Sequence, residues 1–192
     1  FDNRYTLEGS FGMTGSENFA PGHRWGIFPA VGGAWYVSHE KFFEPIQKVI
    51  STLKIRASYG RTGNDQLGGT RFPYQEEMNN GAGGLNLGIS EDQMGMRDWY
   101  GNLSENRAFY PNLRWEIEDK SNFGFDLGLL NGQIDLTMDY FSNRRKDILV
   151  NRNTIPSMSG LQSTPIQNYG VVSNKGIDGN LTFKQHVGDL NL

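Results

Sequence analysis

The sequence contains no cysteine, which excludes disulfide bridges and thiolate metal sites. It also lacks any run of about 18 apolar residues, so a membrane, if one is involved, must be crossed by strands. The net charge of −3 and the pI of about 5.6 provide no basic field that would attract nucleic acid. We therefore expect no nucleic-acid partner.

Catalytic and cofactor motifs are missing as well. His23, His39 and His186 stand far apart in unlike surroundings, so they predict neither a metal site nor a histidine-based catalytic site. The glycine cluster at 81–88 has no following Lys-Ser or Lys-Thr and no strand-to-helix setting, which excludes a phosphate-binding loop. The sequence predicts no enzyme, no metal and no cofactor.

The composition that remains favours strands. Hydrophobic residues make up 36% of the chain and aromatic residues 12%, and there are 25 glycines. Modest apolar content with many rings and glycines is typical of β-strands that have one apolar and one hydrated face. We expect an all-β fold.

The stretch 123–141 predicts two antiparallel strands joined by a turn at Asn131-Gly132. Asn-Gly is the preferred pair for a type I′ turn because both central residues need a positive φ. If Leu130 and Gln133 flank the turn, the facing pairs follow by counting outward, and one face of both strands is apolar. The apolar positions are Phe123, Phe125, Leu127 and Leu129, opposite Tyr140, Met138, Leu136 and Ile134. Matching periods of two on both strands indicate a hairpin with one wet face.

Alternation predicts further strands at 4–15, at 25–37 and around 53–60, with a sixth ending near Lys184, and it extends the hairpin back toward Trp115. Residues 62–65 are expected to close the third strand. Pro29 predicts a bulge or a locally unpaired position, because proline donates no backbone hydrogen bond. The stretch 66–111 keeps no sustained period and far exceeds an ordinary connection, so it is a functional or disordered loop. Residues 147–167 form another polar loop.

The connections differ in length between the two ends of the predicted sheet. If the strands alternate up and down, Asn131-Gly132, a turn near Gly188 and the connector at Phe42 lie at one end. The loops near Pro21, at 66–111 and near Pro156 then lie at the other end. Short turns at one end and long loops at the other are typical of outer-membrane barrels.

Two apolar spans test this interpretation. Trp25 and Trp35 share a face and would lie about 24 Å apart along the axis of a tilted barrel, which matches the separation of two aromatic girdles. The apolar face of the hairpin is shorter, at about 14 Å of axis between Leu129 and Phe123. Beyond it, Ser121 faces Ser142.

Five blocks resemble, in order and spacing, the barrel of the SusC/RagA-like TonB-dependent outer-membrane transporters. They are TGSENFAPGHRWGIFPAVGGAW (14–35), LKIRASYGRTGND (53–65), YPNLRWE (110–116), FGFDLGLLNGQIDLTMDYF (123–141) and SNKGIDGNL (173–181). The resemblance covers most of the chain outside the long loops.

The resemblance implies an antiparallel up-and-down transmembrane β-barrel of about 22 strands, with long extracellular loops and short periplasmic turns. Six or seven strands cannot close a barrel, so residues 1–192 would be part of one barrel domain, with the plug and remaining strands elsewhere in a longer protein. It further implies a Gram-negative, Bacteroidetes-like outer membrane, a SusD-like surface lipoprotein as partner, and the TonB complex, which binds outside this chain. Such systems import oligosaccharides or peptides.

Two sets of residues are candidates for function. For ligand contact we consider Arg71, Tyr74, Arg97, Asp98, Trp99 and Tyr100, because an aromatic ring beside charged hydrogen-bonding groups suits a sugar or peptide. For contact with lipid and its aromatic girdles we consider Trp25, Trp35, Phe123, Phe125, Leu127, Leu129, Ile134, Leu136, Met138 and Tyr140. Asp126, Asp135 and Asp139 share the polar face of the hairpin, and a hydrated barrel lumen explains them more simply than an acid pair or a cation site.

Two other classes of protein fit parts of the pattern. A soluble or surface-anchored β-sandwich that binds carbohydrate would bury the same apolar face against a second sheet. A secreted glycosidase would need two carboxylates about 5 to 10 Å apart in a cleft, and no such pair is identified.

Overall fold

The computed structural model describes residues 3–66, 71–84, 101–107, 109–151, 166–184, 186–187 and 190–191. Its strands are β1 (Tyr5–Gly15), β2 (Trp25–Tyr36), β3 (Ile50–Asn64), β4 (Glu77–Gly84), β5 (Gly101–Arg107), β6 (Glu116–Leu129), β7 (Ile134–Asn151), β8 (Ile166–Phe183), β9 (His186–Val187) and β10 (Leu190–Asn191). Short 3₁₀ segments cover Val37–His39, Lys41–Ile46 and Leu130–Gly132. The largest sheet is antiparallel and six-stranded, in the order β1-β2-β3-β6-β7-β8. Strands β4 and β5 pair with each other, as do β9 and β10.

The register predicted for the central hairpin is confirmed. Leu129 pairs with Ile134, Leu127 with Leu136 and Phe125 with Met138. The β6–β7 ladder continues without a shift to the pair Ile117 and Lys146. Each side chain of this ladder therefore occupies the face that the sequence assigns to it.

The turn that joins β6 to β7 contains Asn131 and Gly132 with positive φ, as predicted, but the loop around them is longer than two residues. Asn131 and Gly132 have φ values of 57° and 84°, and the Gln133 N–H donates to the Leu130 carbonyl at 3.3 Å. Leu130 also has a positive φ, of 51°, and its N–H donates to the carbonyl of Val49 at 3.0 Å. A type I′-like turn thus closes the hairpin, while its flanking residues leave the ladder to bond neighbouring segments.

Several strands extend beyond the limits predicted for them. Strand β3 continues through residues 62–64, which were predicted to close it, because β6 pairs with it as far as Asn64. The stretch 66–111 contains the β4–β5 hairpin, whose glycine- and asparagine-rich strands lack a clear alternation. Strand β7 ends at Asn151 and β8 begins at Ile166, so residues 147–151 and 166–167, which were predicted as loop, belong to strands.

Pro29 occupies a locally unpaired position, as predicted, but without a bulge toward β1. It faces Phe11 in the regular β1–β2 ladder. The pairing of β2 with β3 begins at Ala30, one residue after Pro29. Proline therefore lies where β2 loses its partner on one side, which is where a missing N–H costs least.

The two ends of the sheet differ as expected. The segments around Val37–Ile46 and Leu130–Gly132 and the β9–β10 pair follow strands that run to one end, which we call the short-turn end. Residues 16–24, the segment with β4 and β5, and the end of β7 at Asn151 lie at the other, the long-loop end, while Gly188 and Pro156 of the predicted connections lie outside the described residues. No helix among the described residues is long and apolar enough to span a membrane.

The buried hydrophobic side chains of the described residues lie outside the strands. They are Phe19, Ala20, Val37, Phe43, Leu113 and Trp115. Neither face of the six-stranded sheet is covered by a second sheet within the described part of the chain. The alternative of a β-sandwich, in which a second sheet buries the apolar face, is therefore wrong.

We predict that Gly132→Ala in the full-length protein lowers the free energy of unfolding by about 1 to 2 kcal/mol, because a Cβ disfavours a positive φ. Gly132 has a φ of 84°. Urea unfolding of the detergent-solubilised protein measures the loss. Gly9→Ala is the control, since an added Cβ at Gly9 meets no atom within 4 Å. Equal effects of the two substitutions would contradict the turn geometry.

Candidate functional site

The strongest feature of the sheet is the contrast between its two faces. We call one the apolar face; it holds the odd positions of β1, β2, β3, β6 and β8 and the even positions of β7 up to Lys146. Its exposed large side chains are Tyr5, Leu7, Phe11, Met13, Trp25, Ile27, Val31, Trp35, Tyr59, Phe123, Tyr140, Ile177, Leu181 and Phe183, with Tyr169 and Val171 on β8 beyond the polar positions Ser173 and Lys175. Leu7 is 84% exposed and Ile177 70%, values unsuited to a water-covered surface of this extent.

The predicted lipid-facing residues all lie on this face. Trp25, Trp35, Phe123 and Tyr140 are exposed. The remaining six are half-buried by each other as cross-strand pairs: Phe125, Leu127, Leu129, Ile134, Leu136 and Met138. Together with the exposed residues they form a continuous band across the sheet.

The apolar band is displaced along the strands from one edge of the sheet to the other. Residues that face each other from strand to strand form a row across the sheet. The row that begins at Ile177 of β8 ends at Leu7 of β1, yet the exposed apolar residues of β1 continue beyond Leu7 to Met13. The row of Tyr5 reaches β8 at Gly179, yet the band on β8 continues past that residue. The displacement is about four to six residues over the sheet, and strands 4.8 Å apart with a tilt near 40° require about six. The apolar span of the central hairpin stays shorter than the band on β1, because Ser121 and Ser142 follow Phe123 and Tyr140 on this face.

An aromatic pair borders the band at the short-turn end. The rings of Tyr5 and Trp35 are stacked, with centroids 6.3 Å apart. Glu40 accepts hydrogen bonds from the Tyr5 hydroxyl at 2.5 Å, the Trp35 Nε1 at 3.2 Å and the Arg4 Nη1 at 3.3 Å. The hydrogen bond from Tyr5, followed by that from Trp35, lowers the pKa of Glu40 below its usual range. Apolar ring bodies with hydrogen-bonded polar ends are typical of a membrane interface.

The opposite face, which we call the polar face, is built around Arg56. Its Nη2 lies 3.2 Å from Asp126 Oδ1 and 2.9 Å from Asp139 Oδ2, so one guanidinium joins β3, β6 and β7. Gly124 leaves the space for this contact, because a Cβ there would overlap the Asp139 carboxylate. Arg56, Gly124 and Asp139 border a groove that Glu8 also lines.

Three aspartates of the polar face each have a cationic partner. Asp126 and Asp139 share Arg56, and the Lys184 Nζ lies 2.7 Å from Asp135. Within the described ranges, no group of His, Cys, Asp and Glu side chains is placed to hold a metal ion. Ion pairing on a hydrated surface explains these aspartates.

The structure describes two of the six candidate ligand residues. Arg71 is exposed and stacks its guanidinium over Phe72, 4.9 Å from the ring centroid. Tyr74 is partly buried against a cluster formed by Phe19, Leu113 and Trp115. The other four candidates, 97–100, lie outside the described residues.

The cluster of Phe19, Leu113 and Trp115 was not identified from the sequence. The Phe19 and Trp115 rings lie 5.2 Å apart, and Trp115 Nε1 donates to the carbonyl of Arg24 at 3.1 Å. It ties residues 16–24 to the segment before β6, at the long-loop end. The YPNLRWE block could have indicated it, because Leu113 and Trp115 are two residues apart just before a strand and would share a face.

Comparisons with known proteins agree with this arrangement. Residues 1–192 match the family described as TonB dependent receptor-like, beta-barrel. The chain is 32% identical over 186 residues to the TonB-dependent receptor SusC of Bacteroides thetaiotaomicron, which covers 95% of this chain and 17% of that receptor. It is 28% identical over 176 residues to the TonB-dependent receptor P26 of Formosa agariphila, covering 92% and 16%. The chain thus spans about a sixth of these relatives.

Solved structures give the same result. The RagAB peptide importer in the open-open state superimposes with a TM-score of 0.77 at 26% identity, covering 98% of this chain and 19% of that one. The siderophore receptor PirA from Pseudomonas aeruginosa superimposes with a TM-score of 0.55 at 13% identity, covering 97% and 29%, which is a likeness of fold alone.

We predict that Arg56→Gln in the full-length protein lowers the free energy of unfolding by about 1 to 3 kcal/mol, because two half-buried carboxylates lose their shared cation. Adding Asp139→Asn should recover part of the loss, since the two residues are in contact. Urea unfolding in detergent measures both. Lys120→Gln is the control on the same face, and its exposed Nζ lies 3.5 Å from Glu118. Equal losses for Arg56→Gln and Lys120→Gln would contradict a linking role for Arg56.

Proposed function

The chain belongs to the family of TonB-dependent receptor-like β-barrels, and from this membership we propose that it forms part of the wall of an outer-membrane transporter of the SusC/RagA type. In this proposal the apolar face contacts lipid and the polar face lines the lumen. The short-turn end is periplasmic, and the long-loop end is extracellular.

The observation that carries the proposal is the exposed, displaced apolar band. A band parallel to a membrane must cross each tilted strand at a different residue, and the displacement in this sheet has the size that a barrel tilt requires. The polar face supports the same orientation, because Arg56 pairs there with two aspartates and the residues that line the groove are small, polar or charged. Both faces have the chemistry of a barrel wall.

The rest of the machinery belongs to the full-length protein. The chain spans 17% of SusC, so we assign the remaining strands, the plug inside the barrel and the TonB-binding segment to parts outside residues 1–192. A SusD-like lipoprotein would cover the extracellular end. The relatives from Bacteroides and Formosa support a Bacteroidetes-like outer membrane as the location.

For the substrate we propose an oligosaccharide or a peptide. RagAB is a peptide importer, and the superposition on its structure covers 98% of the present chain. Arg71 and the residues at 97–100 remain our candidates for ligand contact. The packing of Tyr74 against the Phe19 cluster favours a role in holding the loop in place.

Leu181→Arg in the full-length protein tests the wall assignment. Leu181 is 68% exposed in the sheet, so in water an arginine there would cost almost nothing. Facing lipid, the same arginine should cost about 2 to 4 kcal/mol near the midplane. The free energy of unfolding is measured in bilayers, with Asn180→Arg on the opposite face of the same strand as the control.

The proposal requires a large loss for Leu181→Arg and little change for Asn180→Arg. Equal, small effects of both substitutions would show that the apolar face meets water, and the wall assignment would fail.

A further inference from the structure

The charged residues of the apolar face all lie at its long-loop end. Strands β1 and β2 carry no charge on this face. On β3, β6, β7 up to Lys146, and β8, the apolar face holds four cations and a single carboxylate: Arg61, Arg144, Lys146, Lys175 and Asp119. We call the four cations the basic patch.

The basic patch lies directly beside the aromatic edge of the apolar band. Arg61, Asp119 and Arg144 occupy one row of the sheet. Lys175 occupies the next row toward the band, about 7 Å along the strand from Ile177. Cations are thus placed where hydrocarbon ends and headgroups would begin, on one side of the band.

Asp119 neutralises only part of this charge. It accepts hydrogen bonds from Arg61 Nε at 2.7 Å and the Tyr59 hydroxyl at 3.1 Å, and it pairs with Lys146 Nζ at 3.2 Å. Arg144 and Lys175 are exposed and have no ionic partner among the described residues. Since Lys175 faces Ser142, the neighbour of Arg144 on the same face of β7, the two free cations are diagonal neighbours, about 7 to 8 Å apart at the backbone.

We infer that the basic patch binds the phosphate of an anionic lipid headgroup in the leaflet at the long-loop end. This inference depends on the proposed function, because it requires lipid against the apolar face. Arg144 offers a guanidinium fork for phosphate oxygens and Lys175 a second positive charge, while the exposed rings below accommodate acyl chains. A lipid can contact both the basic patch and the neighbouring apolar side chains, whereas free phosphate can contact only the cations.

The test uses the full-length protein in detergent with two probes, short-chain phosphatidylglycerol and short-chain phosphatidylcholine. Native mass spectrometry measures how much of each lipid stays bound. The variant Arg144→Gln/Lys175→Gln removes the two unpaired cations. The control Lys54→Gln/Lys120→Gln removes two cations from the polar face of β3 and β6.

The wild-type protein and the control should favour phosphatidylglycerol, and the Arg144→Gln/Lys175→Gln variant should lose about thirtyfold of that preference, which corresponds to about 2 kcal/mol for the two cations together. An unchanged preference in this variant would overturn the inference. So would inorganic phosphate displacing the lipid at equal concentration, because the site would then recognise a free anion.

The inference and the proposed function fail in different ways. If the protein enters lipid nanodiscs but shows no headgroup preference, only the lipid site is wrong. If the protein does not enter nanodiscs of any composition, the wall assignment is wrong and the lipid site falls with it.

Discussion

The antiparallel backbone ladder is the constraint on which the rest of this structure depends. Between β6 and β7 the ladder runs from the Ile117–Lys146 pair to the Leu129–Ile134 pair without a shift, so a period of two in the sequence becomes two chemically distinct faces. A bilayer allows only backbone whose polar groups are already paired, and a ladder of this kind meets that requirement along each strand. The long outer edge of β8, unpaired among the described residues, fits a wall that continues into neighbouring strands.

The tilt of the strands then explains features that look irregular in any one strand. The band on β1 extends to Met13, whereas the continuous band on β8 stops at Ile177 and gives way to Lys175 and Ser173, before Val171 and Tyr169. A tilted strand enters and leaves a hydrocarbon layer at its own residue, so both limits follow from one geometry. The aromatic contacts of Glu40 and the cations near Asp119 lie at opposite ends of the band, where polar groups would meet an interface.

Much of this arrangement could be predicted from the sequence, and the parts that could not have a common cause. The turn at Asn131-Gly132 fixes the β6–β7 register because the two strands are adjacent in the chain. Strands β3 and β6 pair across the β4–β5 segment, and no tight turn sets their register, so the contact of Arg56 with Asp126 was not foreseen. The displacement of the band was missed for the same reason. Detecting it requires the registers between several strands, whereas alternation in the sequence describes one strand at a time. The ligand contacts at 97–100 stay a prediction.

Spin labelling along β8 in the full-length protein, reconstituted in bilayers, tests the central claim most directly. Single cysteines from Ile177 to Phe183 carry the label, and collision with oxygen and with a water-soluble nickel complex reports lipid and water respectively. The account predicts strict alternation, with labels at 177, 181 and 183 accessible to oxygen and labels at 178, 180 and 182 accessible to nickel. Access of the nickel complex to both sets of positions would contradict it.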